Sequence, residues 1–250
     1  MSAVALSTRG LSRSFGSLAV ARDITLDLPV GARYALIGPN GAGKTTLINL
    51  ITGMLAADAG RITLGGEDIT GLSPEARVRR GLARTFQINT LFPQLTALES
   101  VALAVLERDG HAHNWWRGLG RFGAEVDEAA SILRSLNLQK QLRRSTRELA
   151  YGEQRLLEIA LALATRPRVL LLDEPAAGVP KDESPELFAA IAGLSNALTV
   201  LFIEHDMDVV FRFASRIHVM VGGRLLVEGT PDDIARDPRV REVYLGKSFG

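Results

Sequence analysis

Cysteine is absent from the 250 residues of this chain. Its absence excludes disulfides, thiolate catalysis and cysteine metal sites, and it fits a reducing compartment. No run approaches the roughly 18 apolar residues of a membrane-spanning helix. The first residues, MSAVALSTRG, also lack the charged and then apolar pattern of a signal peptide, so we expect neither element.

Net charge is also nearly absent, with 29 basic and 28 acidic residues. This balance removes any global attraction to nucleic acid or to anionic lipid, so a partner of either kind would have to be met locally. With 46% hydrophobic and 23% charged residues, the chain can bury the core of one large domain. We therefore expect a chain that is soluble by itself, without a nucleic acid partner.

The strand patterns along the chain favour an α/β fold. In DITLDLPVGARYALIG, the apolar residues Ile24, Leu26 and Leu28 alternate with polar ones, which is the period of a half-buried strand. The turn-like PVG separates this strand from a second one, RYALIG. The later stretch VLLL is continuously apolar, as in a parallel strand that is buried on both faces.

A glycine-rich loop, GPNGAGKT, follows the second strand and precedes a predicted helix, TTLINLITGML. Its residues Gly38, Gly43, Lys44 and Thr45 fill the pattern of glycine, four residues, glycine, lysine, and serine or threonine. In such a loop backbone N–H groups wrap phosphate oxygens, the lysine neutralises them, and the threonine hydroxyl is a hard oxygen ligand for Mg²⁺. The order of strand, loop and helix predicts a nucleotide-binding site.

Two later strands end in candidate catalytic residues. The strand in RVLLLDEPAAG ends in Asp173 and Glu174, and LTVLFIE leads to His205. Carboxylates at the carboxyl end of a strand lie where α/β folds bind ligands. Asp173 would hold Mg²⁺ through water, Glu174 would polarise the attacking water, and His205 would lie beside the γ-phosphate. The alternatives are structural: Asp173 and Glu174 could be an exposed pair that begins a loop, and His205 could be an ordinary structural histidine.

The stretch LAYGEQR, residues 149–155, places Gly152 directly ahead of an apolar-periodic helix, EQRLLEIALALA. A helix N-terminus presents unpaired N–H groups and a positive dipole end, which suit an anion. These residues alone do not name the anion. An ordinary capped helix that packs through its apolar face is compatible with the same pattern.

Together these motifs resemble the ATP-binding cassette family. The resemblance implies a P-loop NTPase fold with a mainly parallel core sheet, an N-terminal antiparallel β subdomain, and a helical subdomain at about 88–165 within one domain, 1–250. It also implies ATP and Mg²⁺ as cofactors. In this family the signature helix, which LAYGEQR resembles, points across a head-to-tail dimer at the γ-phosphate that the other subunit binds.

The same resemblance assigns roles residue by residue. Phe15 would stack on adenine, and Gln87 in RTFQ would contact the metal and the attacking water. The residues implied to be catalytic are Glu174, His205 and Gln87. The implied metal ligands are Thr45, Gln87 and Asp173. The implied nucleotide-binding residues are Phe15, Gly38, Asn40, Gly41, Ala42, Gly43, Lys44, Thr45 and Thr46, joined in trans by Ala150, Tyr151, Gly152 and Glu153.

Nearly the whole chain, from LSRSF to EGTPDDIARDPRVREVYLG, looks like the ATPase subunits of branched-chain and hydrophobic amino-acid importers. The resemblance implies two transmembrane permease subunits, a homologous ATPase subunit in a homodimer or heterodimer, and an extracytoplasmic substrate-binding protein as partners. It places the chain peripherally on the cytoplasmic face of a bacterial inner membrane. The closing segment, about 230–250, is expected to be a helical extension, with Thr230 as its cap and Pro231 at the first helical position.

Two positions depart from the family pattern. Ala150 stands where serine is common, so a hydroxyl expected at the partner's γ-phosphate is absent, and Pro180 replaces a polar residue that crosses the dimer interface. We hypothesise that, in a heteromeric dimer, the composite site that uses this signature is the weaker one. The alternatives are a soluble non-transport ATPase and an ATP-binding regulatory subunit with weak hydrolysis. A DNA-repair ATPase of this family would have a long coiled coil between Lys44 and Gly152, and the sequence there has no sustained heptads.

The region between Gln87 and LAYGEQR is predicted to be helical. Thr96 and Glu99 form a capping-box pattern, and AEVDEAASILRSLNL repeats apolar residues at helical spacing. The intervening RDGHAHNWWRGLGRFG contains His111 and His113, which without further ligands do not predict a metal site. The two tryptophans of that stretch, Trp115 and Trp116, could cover the helical core or pack on a membrane subunit.

Overall fold

A computed structural model describes residues 3–85, 91–111 and 122–245. The strands in this part of the chain are β1 (Val4–Phe15), β2 (Leu18–Pro29), β3 (Arg33–Ile37), β4 (Ala59–Leu64), β5 (Glu67–Asp68), β6 (Leu82–Arg84), β7 (Val169–Asp173), β8 (Thr199–Ile203), β9 (Arg216–Val221) and β10 (Arg224–Gly229). The helices are α1 (Lys44–Thr52), α2 (Pro74–Arg79), α3 (Ala97–Arg108), α4 (Gly123–Ser135), α5 (Tyr151–Leu163), α6 (Ser184–Ala192), α7 (Met207–Phe213), α8 (Pro231–Arg236) and α9 (Pro238–Leu245).

The strands form two sheets. One is antiparallel, in the order β2-β1-β4-β5, and it begins with the long hairpin of β1 and β2. The other has the order β10-β9-β3-β8-β7-β6, and all its neighbours are parallel except β10 and β9. The predicted fold class, a mainly parallel core sheet with an N-terminal antiparallel β layer, is confirmed.

The central strands are apolar at successive positions because both faces of the parallel sheet are covered. Leu36, Leu171 and Leu201 belong to the core that contains α1 and the antiparallel sheet. Their chain neighbours Leu172 and Phe202 belong to a second core, which contains residues of α3 to α9. Side chains that alternate between two cores are the expected result of the two-residue period of a strand.

The sequence located the helices of the middle region from their caps and periodicity. The capping box is present: the Thr96 hydroxyl accepts the N–H of Glu99 at 3.2 Å, and the Glu99 carboxylate accepts the N–H of Thr96 at 2.7 Å. Helix α1 is shorter than predicted and ends at Thr52. Gly53 ends it in a left-handed conformation, with a φ of +81°. The buried guanidinium of Arg77 donates to the carbonyls of Leu50 and Ile51 and so satisfies this helix end.

Helices α3, α4 and α5 lie within the predicted helical subdomain, and α8 and α9 lie within the predicted C-terminal extension. The Thr230 hydroxyl caps α8 by accepting the N–H of Asp233 at 3.3 Å, and Pro231 is its first residue. The division into subdomains itself stays a prediction. None of the helices in the described part of the chain has the length and apolar character needed to cross a bilayer.

Of the two candidate histidines in the Gly-rich and aromatic stretch, His111 is described, and its Nδ1 lies 2.9 Å from a Glu125 carboxylate oxygen. His113, Trp115 and Trp116 lie outside the described residues. Within residues 3–85, 91–111 and 122–245, no group of three or more His, Cys, Asp or Glu side chains could hold a metal ion by itself.

Candidate nucleotide-binding and catalytic site

The sheet order brings the predicted motifs to one edge. Strands β3, β8 and β7 are consecutive neighbours and parallel, so their carboxyl ends meet at the same edge of the sheet. The glycine-rich loop follows β3, Glu174 follows β7, and His205 lies two residues beyond the end of β8. Residues that are far apart in the sequence are therefore close in space, where α/β folds bind ligands.

A cavity of about 380 Å³ opens at this edge. Strand β2 and the phosphate loop supply most of its wall, and the two catalytic candidates complete it. The residues that line it are Leu18, Val20, Asn40, Gly41, Ala42, Gly43, Lys44, Thr45, Thr46, Glu174 and His205. Because α1 begins at Lys44, the cavity also lies at a helix N-terminus, which favours phosphate.

The Lys44 ammonium is held inside the loop. Its Nζ donates to the carbonyl of Gly38 at 2.7 Å and to that of Pro39 at 3.2 Å. Burial lowers the pKa of Lys44, while the negative charges of Glu174 and Asp173 act in the opposite direction. The loop thus presents a largely buried cation near two carboxylates at the end of β7, an arrangement that suits a polyphosphate with a metal ion.

Glu174 and His205 form a direct pair, with Oε1 of the glutamate 2.5 Å from Nε2 of the histidine. Glu174 has a φ of +50°, a left-handed conformation that costs a non-glycine residue on the order of 1 kcal/mol. Its N–H donates to the carbonyl of Ile203 at 3.1 Å, which fixes the end of β7 to the end of β8. The backbone therefore holds the carboxylate at the cavity wall in a conformation that is typical of active sites.

Asp173 is buried behind this pair. Its Oδ2 accepts a hydrogen bond from the Arg84 guanidinium at 2.7 Å, and Arg84 also donates to the Asn49 side chain at 2.6 Å. Its other oxygen, Oδ1, is buried and has no hydrogen-bond partner within the described ranges. A buried carboxylate oxygen that lacks a donor, close to the loop that carries the exposed Thr45 hydroxyl, fits Mg²⁺, which prefers hard oxygen ligands.

The predicted adenine contact lies beside the cavity rather than in its wall. Phe15 pairs across the β1–β2 turn with Leu18, which does line the cavity, and the ring is 51% exposed. The guanidinium of Arg13 lies 5.1 Å from the Phe15 ring centroid. The exposed ring leaves room for a stacked base, so adenine stacking stays a prediction. Gln87 lies outside the described residues, and so its predicted role stays one as well.

The signature-like segment begins its helix two residues earlier than predicted, at Tyr151 rather than Glu153. Helix α5 starts at Tyr151, so Gly152 lies inside the first turn and not ahead of it. The cause is the carboxylate of Glu153, which accepts the N–H of Ala150 at 2.9 Å and also the Gln141 amide at 2.5 Å. This carboxylate supplies one half of a capping box, and the other half is missing because the Ala150 side chain has no oxygen.

The same segment packs on the loop that follows β7. Arg155 is buried and donates to the Tyr151 hydroxyl at 2.8 Å and to the carbonyl of Ala177 at 3.2 Å. A methyl group on Gly178 would come within 2.9 Å of the Tyr151 hydroxyl oxygen. None of Ala150, Tyr151, Gly152 and Glu153 lines the 380 Å³ cavity. This separation within one chain agrees with the predicted role in trans, which stays a prediction.

Sequence reasoning missed three side chains of this site. Arg84 donates to Asp173, and Asn49 holds Arg84 by accepting a hydrogen bond from its guanidinium. Glu204, at the end of β8, accepts the N–H of Ala176 at 2.9 Å and the N–H of His205 at 3.2 Å. Two of them could have been found from their positions in the strands. Arg84 ends β6 and Glu204 directly follows β8, both at the carboxyl edge of the parallel sheet.

Comparison with protein families agrees with this geometry. Residues 21–177 match the family model described as ABC transporter. Residues 224–250, which include α8 and α9, match the model described as Branched-chain amino acid ATP-binding cassette transporter. The first match covers more than half of the chain and includes the phosphate loop and the Asp173–Glu174 pair.

Two related proteins match this chain over nearly its full length. The chain is 40% identical to the high-affinity branched-chain amino acid transport ATP-binding protein BraF of Pseudomonas aeruginosa, over 99% of this chain and 100% of the relative. It is 39% identical to the protein of the same description named LivG in Escherichia coli, again over 99% and 100%.

Solved structures agree as well. An ATP-binding cassette of an ABC transporter in its ADP conformation superposes with a TM-score of 0.85 at 32% identity, over 97% of this chain and 99% of that one. A nucleotide-free cassette superposes with a TM-score of 0.83 at 31% identity, over 96% and 98%. The chain therefore belongs to the ABC transporter family, as one of its ATP-hydrolysing cassettes.

Proposed function

We propose that this chain powers an importer of branched-chain or other hydrophobic amino acids, or of related small molecules. The observation that carries the proposal is the single cavity in which the phosphate loop, Glu174 and His205 meet. The substrate class is supported by BraF and LivG, the branched-chain amino acid transport proteins to which the chain is 40% and 39% identical over 99% of its length. The two features together favour transport over a soluble ATPase of another kind.

Nucleotide binding is the first step. The triphosphate lies in the loop from Asn40 to Thr46, where backbone N–H groups at the start of α1 and the buried Lys44 cation meet its negative charge. Phe15, Leu18 and Val20 lie on the adenine side. Thr45 and Asp173, with Gln87 as predicted, would hold Mg²⁺, which supplies charge neutralisation at the phosphates when it is bound.

Hydrolysis follows from the Glu174–His205 pair. The Glu174 carboxylate orients a water molecule and accepts its proton as the water oxygen attacks the γ-phosphorus. His205, whose Nε2 is 2.5 Å from Oε1 of Glu174, fixes the direction of that carboxylate and reaches the γ-phosphate side of the cavity. The bond between the γ-phosphorus and the bridging oxygen breaks, so ADP and inorganic phosphate form.

Closure of a head-to-tail dimer couples this chemistry to transport. The segment Ala150–Glu153, which does not line the cavity of its own chain, would complete the site of the partner subunit. ATP drives closure only as far as it binds the closed dimer more tightly than the open one. Two permease subunits at the cytoplasmic face of the membrane, fed by an extracytoplasmic substrate-binding protein, would use that motion.

The two sites of a heteromeric dimer are proposed to be unequal. The signature of this chain has no side-chain oxygen at Ala150, and the N–H of that residue is already bonded to Glu153. The partner's γ-phosphate would therefore meet fewer donors than a serine-containing signature offers. Unequal hydrolysis after knockout of either site alone is the expected result, and equal rates would remove this part of the proposal.

Substrate uptake tests the proposed function. Cells that lack this gene should lose the uptake of labelled leucine, isoleucine or valine and regain it with the unsubstituted chain. The Glu174→Gln variant, which keeps the size of the side chain but cannot accept the proton, should bind ATP and fail to restore uptake. Full restoration by that variant, or uptake that does not depend on the gene, would contradict the proposal.

A further inference from the structure

The carboxylate of Glu204 connects the two segments that carry the catalytic pair. Its Oε1 accepts the N–H of Ala176, in the loop after Glu174, at 2.9 Å. Its Oε2 accepts the N–H of His205 at 3.2 Å. We call these two hydrogen bonds the Glu204 bridge. Each N–H is thus bonded to a different oxygen of one side chain, which fixes the loop after β7 relative to the residue that follows β8.

The Glu204 carboxylate is buried, and burial disfavours its charged form. The residue is only 5% exposed, and burial raises the pKa of Glu204, because a charge is disfavoured away from water. Among the described residues, no Lys or Arg acts on the charge of this carboxylate. The two backbone N–H groups are therefore the main compensation for the buried charge.

We propose that Glu204 is a positioning residue for ATP hydrolysis, acting through the Glu204 bridge on the geometry of Glu174 and His205; this rests on the proposed roles of that pair. The chain fixes Glu174 to β8 through its own N–H and the carbonyl of Ile203. The Glu204 bridge adds the second connection, two residues beyond Glu174. The two connections flank the glutamate, so the distance between its carboxylate and His205 is set from both sides.

Only an ionised carboxylate provides two acceptors at these positions. Glutamine has the same shape but one oxygen and one NH₂ group, so it must place a donor against the N–H of either Ala176 or His205. One backbone N–H then loses its partner inside the protein. The ATP-binding loop follows β3 and does not contact Glu204 in the cavity wall, so nucleotide affinity should be spared.

The experiment compares Glu204→Gln with the unsubstituted protein and with Glu128→Gln, which removes a carboxylate paired with Arg108 and Arg166 away from this edge of the sheet. We expect Glu204→Gln to lower kcat for ATP at least tenfold with KM and nucleotide affinity changed less than twofold. Glu128→Gln, despite a loss of thermal stability, should keep kcat within twofold. If Glu204→Gln does not fold, Glu204→Asp, which keeps the charge but is one methylene too short to span both N–H groups, takes its place with the same expectation.

A kcat for the folded Glu204 variant within twofold of the unsubstituted value would overturn the inference. So would a fall in kcat that is matched by Glu128→Gln, because it would reflect stability alone. A loss of nucleotide affinity equal to the loss of kcat would also contradict it. Absence of ATP turnover in the unsubstituted protein, tested together with its ATPase partner, would instead remove the proposed function on which the inference rests.

Discussion

Substitution of a single glycine in the phosphate loop, Gly43→Ala, should weaken nucleotide binding more than Gly41→Ala does. Both residues have a positive φ, +101° at Gly43 and +79° at Gly41, which an alanine adopts only under strain. They differ in their surroundings. A Cβ on Gly43 would lie 2.6 Å from the carbonyl oxygen of Val20 and 2.8 Å from a methyl carbon of Met220, whereas a Cβ on Gly41 would have no heavy atom within 4 Å.

The magnitudes follow from these two differences. Left-handed strain costs each variant about 1–3 kcal/mol. Gly43→Ala also forces the loop away from the backbone of β2, an overpacking cost of about 1–3 kcal/mol. The free loop can relieve this strain by leaving the phosphate-binding conformation, and ATP binding must then restore that conformation. Since roughly 1.4 kcal/mol corresponds to a tenfold change in affinity, we expect Gly41→Ala to weaken ATP binding by about tenfold and Gly43→Ala by about thirtyfold or more.

Titration of a fluorescent ATP analogue against each purified variant measures these affinities. Thermal unfolding followed by circular dichroism provides the control, because both variants should remain folded. Gly41 is the matched comparison, since it shares the loop, the residue type and the sign of φ. Equal losses of affinity in the two variants would refute the view that close contact with Val20 and Met220, rather than backbone strain alone, makes Gly43 necessary.

Three further predictions concern stability. Arg77→Met should lower the melting temperature by about 6–12 °C, because the guanidinium donates to four backbone carbonyls whose loss costs roughly 3 kcal/mol, and a small effect would contradict this. Arg84→Gln should cost about 3–5 kcal/mol in urea unfolding, since it leaves the buried Asp173 carboxylate without its cation; a cost below 1 kcal/mol would argue against the pair. Glu128→Gln should lower the free energy of unfolding at pH 7 but less at pH 3. Hydrogen bonds from Arg108 lower the pKa of Glu128 from 4.5 to about 2, so the stability that its charge contributes is complete above pH 4.5 and is lost as the pH falls towards 2. An equal destabilisation at both pH values would contradict this.

Local patterns in the sequence predicted the elements that local forces determine. The alternation of Ile24, Leu26 and Leu28 gave a strand, and the Thr96 and Glu99 pair gave a helix start, because a strand face and a cap depend on residues within a few positions. The phosphate loop and the Asp173–Glu174 pair were found for a similar reason. Each motif is short and contiguous, and its position after an apolar strand is readable from the chain.

Contacts between distant segments could not be predicted in the same way. Arg84 and Asp173 are 89 residues apart, and Ala176 and Glu204 are 28 apart. Their pairing depends on the strand order β8-β7-β6, which no local pattern specifies. The predicted start of α5, Glu153, was two residues too late, because the Glu153 side chain folds back to accept the N–H of Ala150 and so lies inside the first turn. Charge partners on different strands can therefore be identified only from the three-dimensional structure.

The rate of Mg²⁺-dependent ATP hydrolysis, measured against protein concentration, tests the central claim most directly. The chain should be assayed alone and with its neighbouring ATPase subunit, with Glu174→Gln as the control that keeps the size of the side chain. We expect turnover per molecule to rise with concentration or with added partner, and to disappear in Glu174→Gln while ATP binding remains. Turnover per molecule that is independent of concentration and partner, and that persists in Glu174→Gln, would contradict a site completed by a second subunit and driven by this carboxylate.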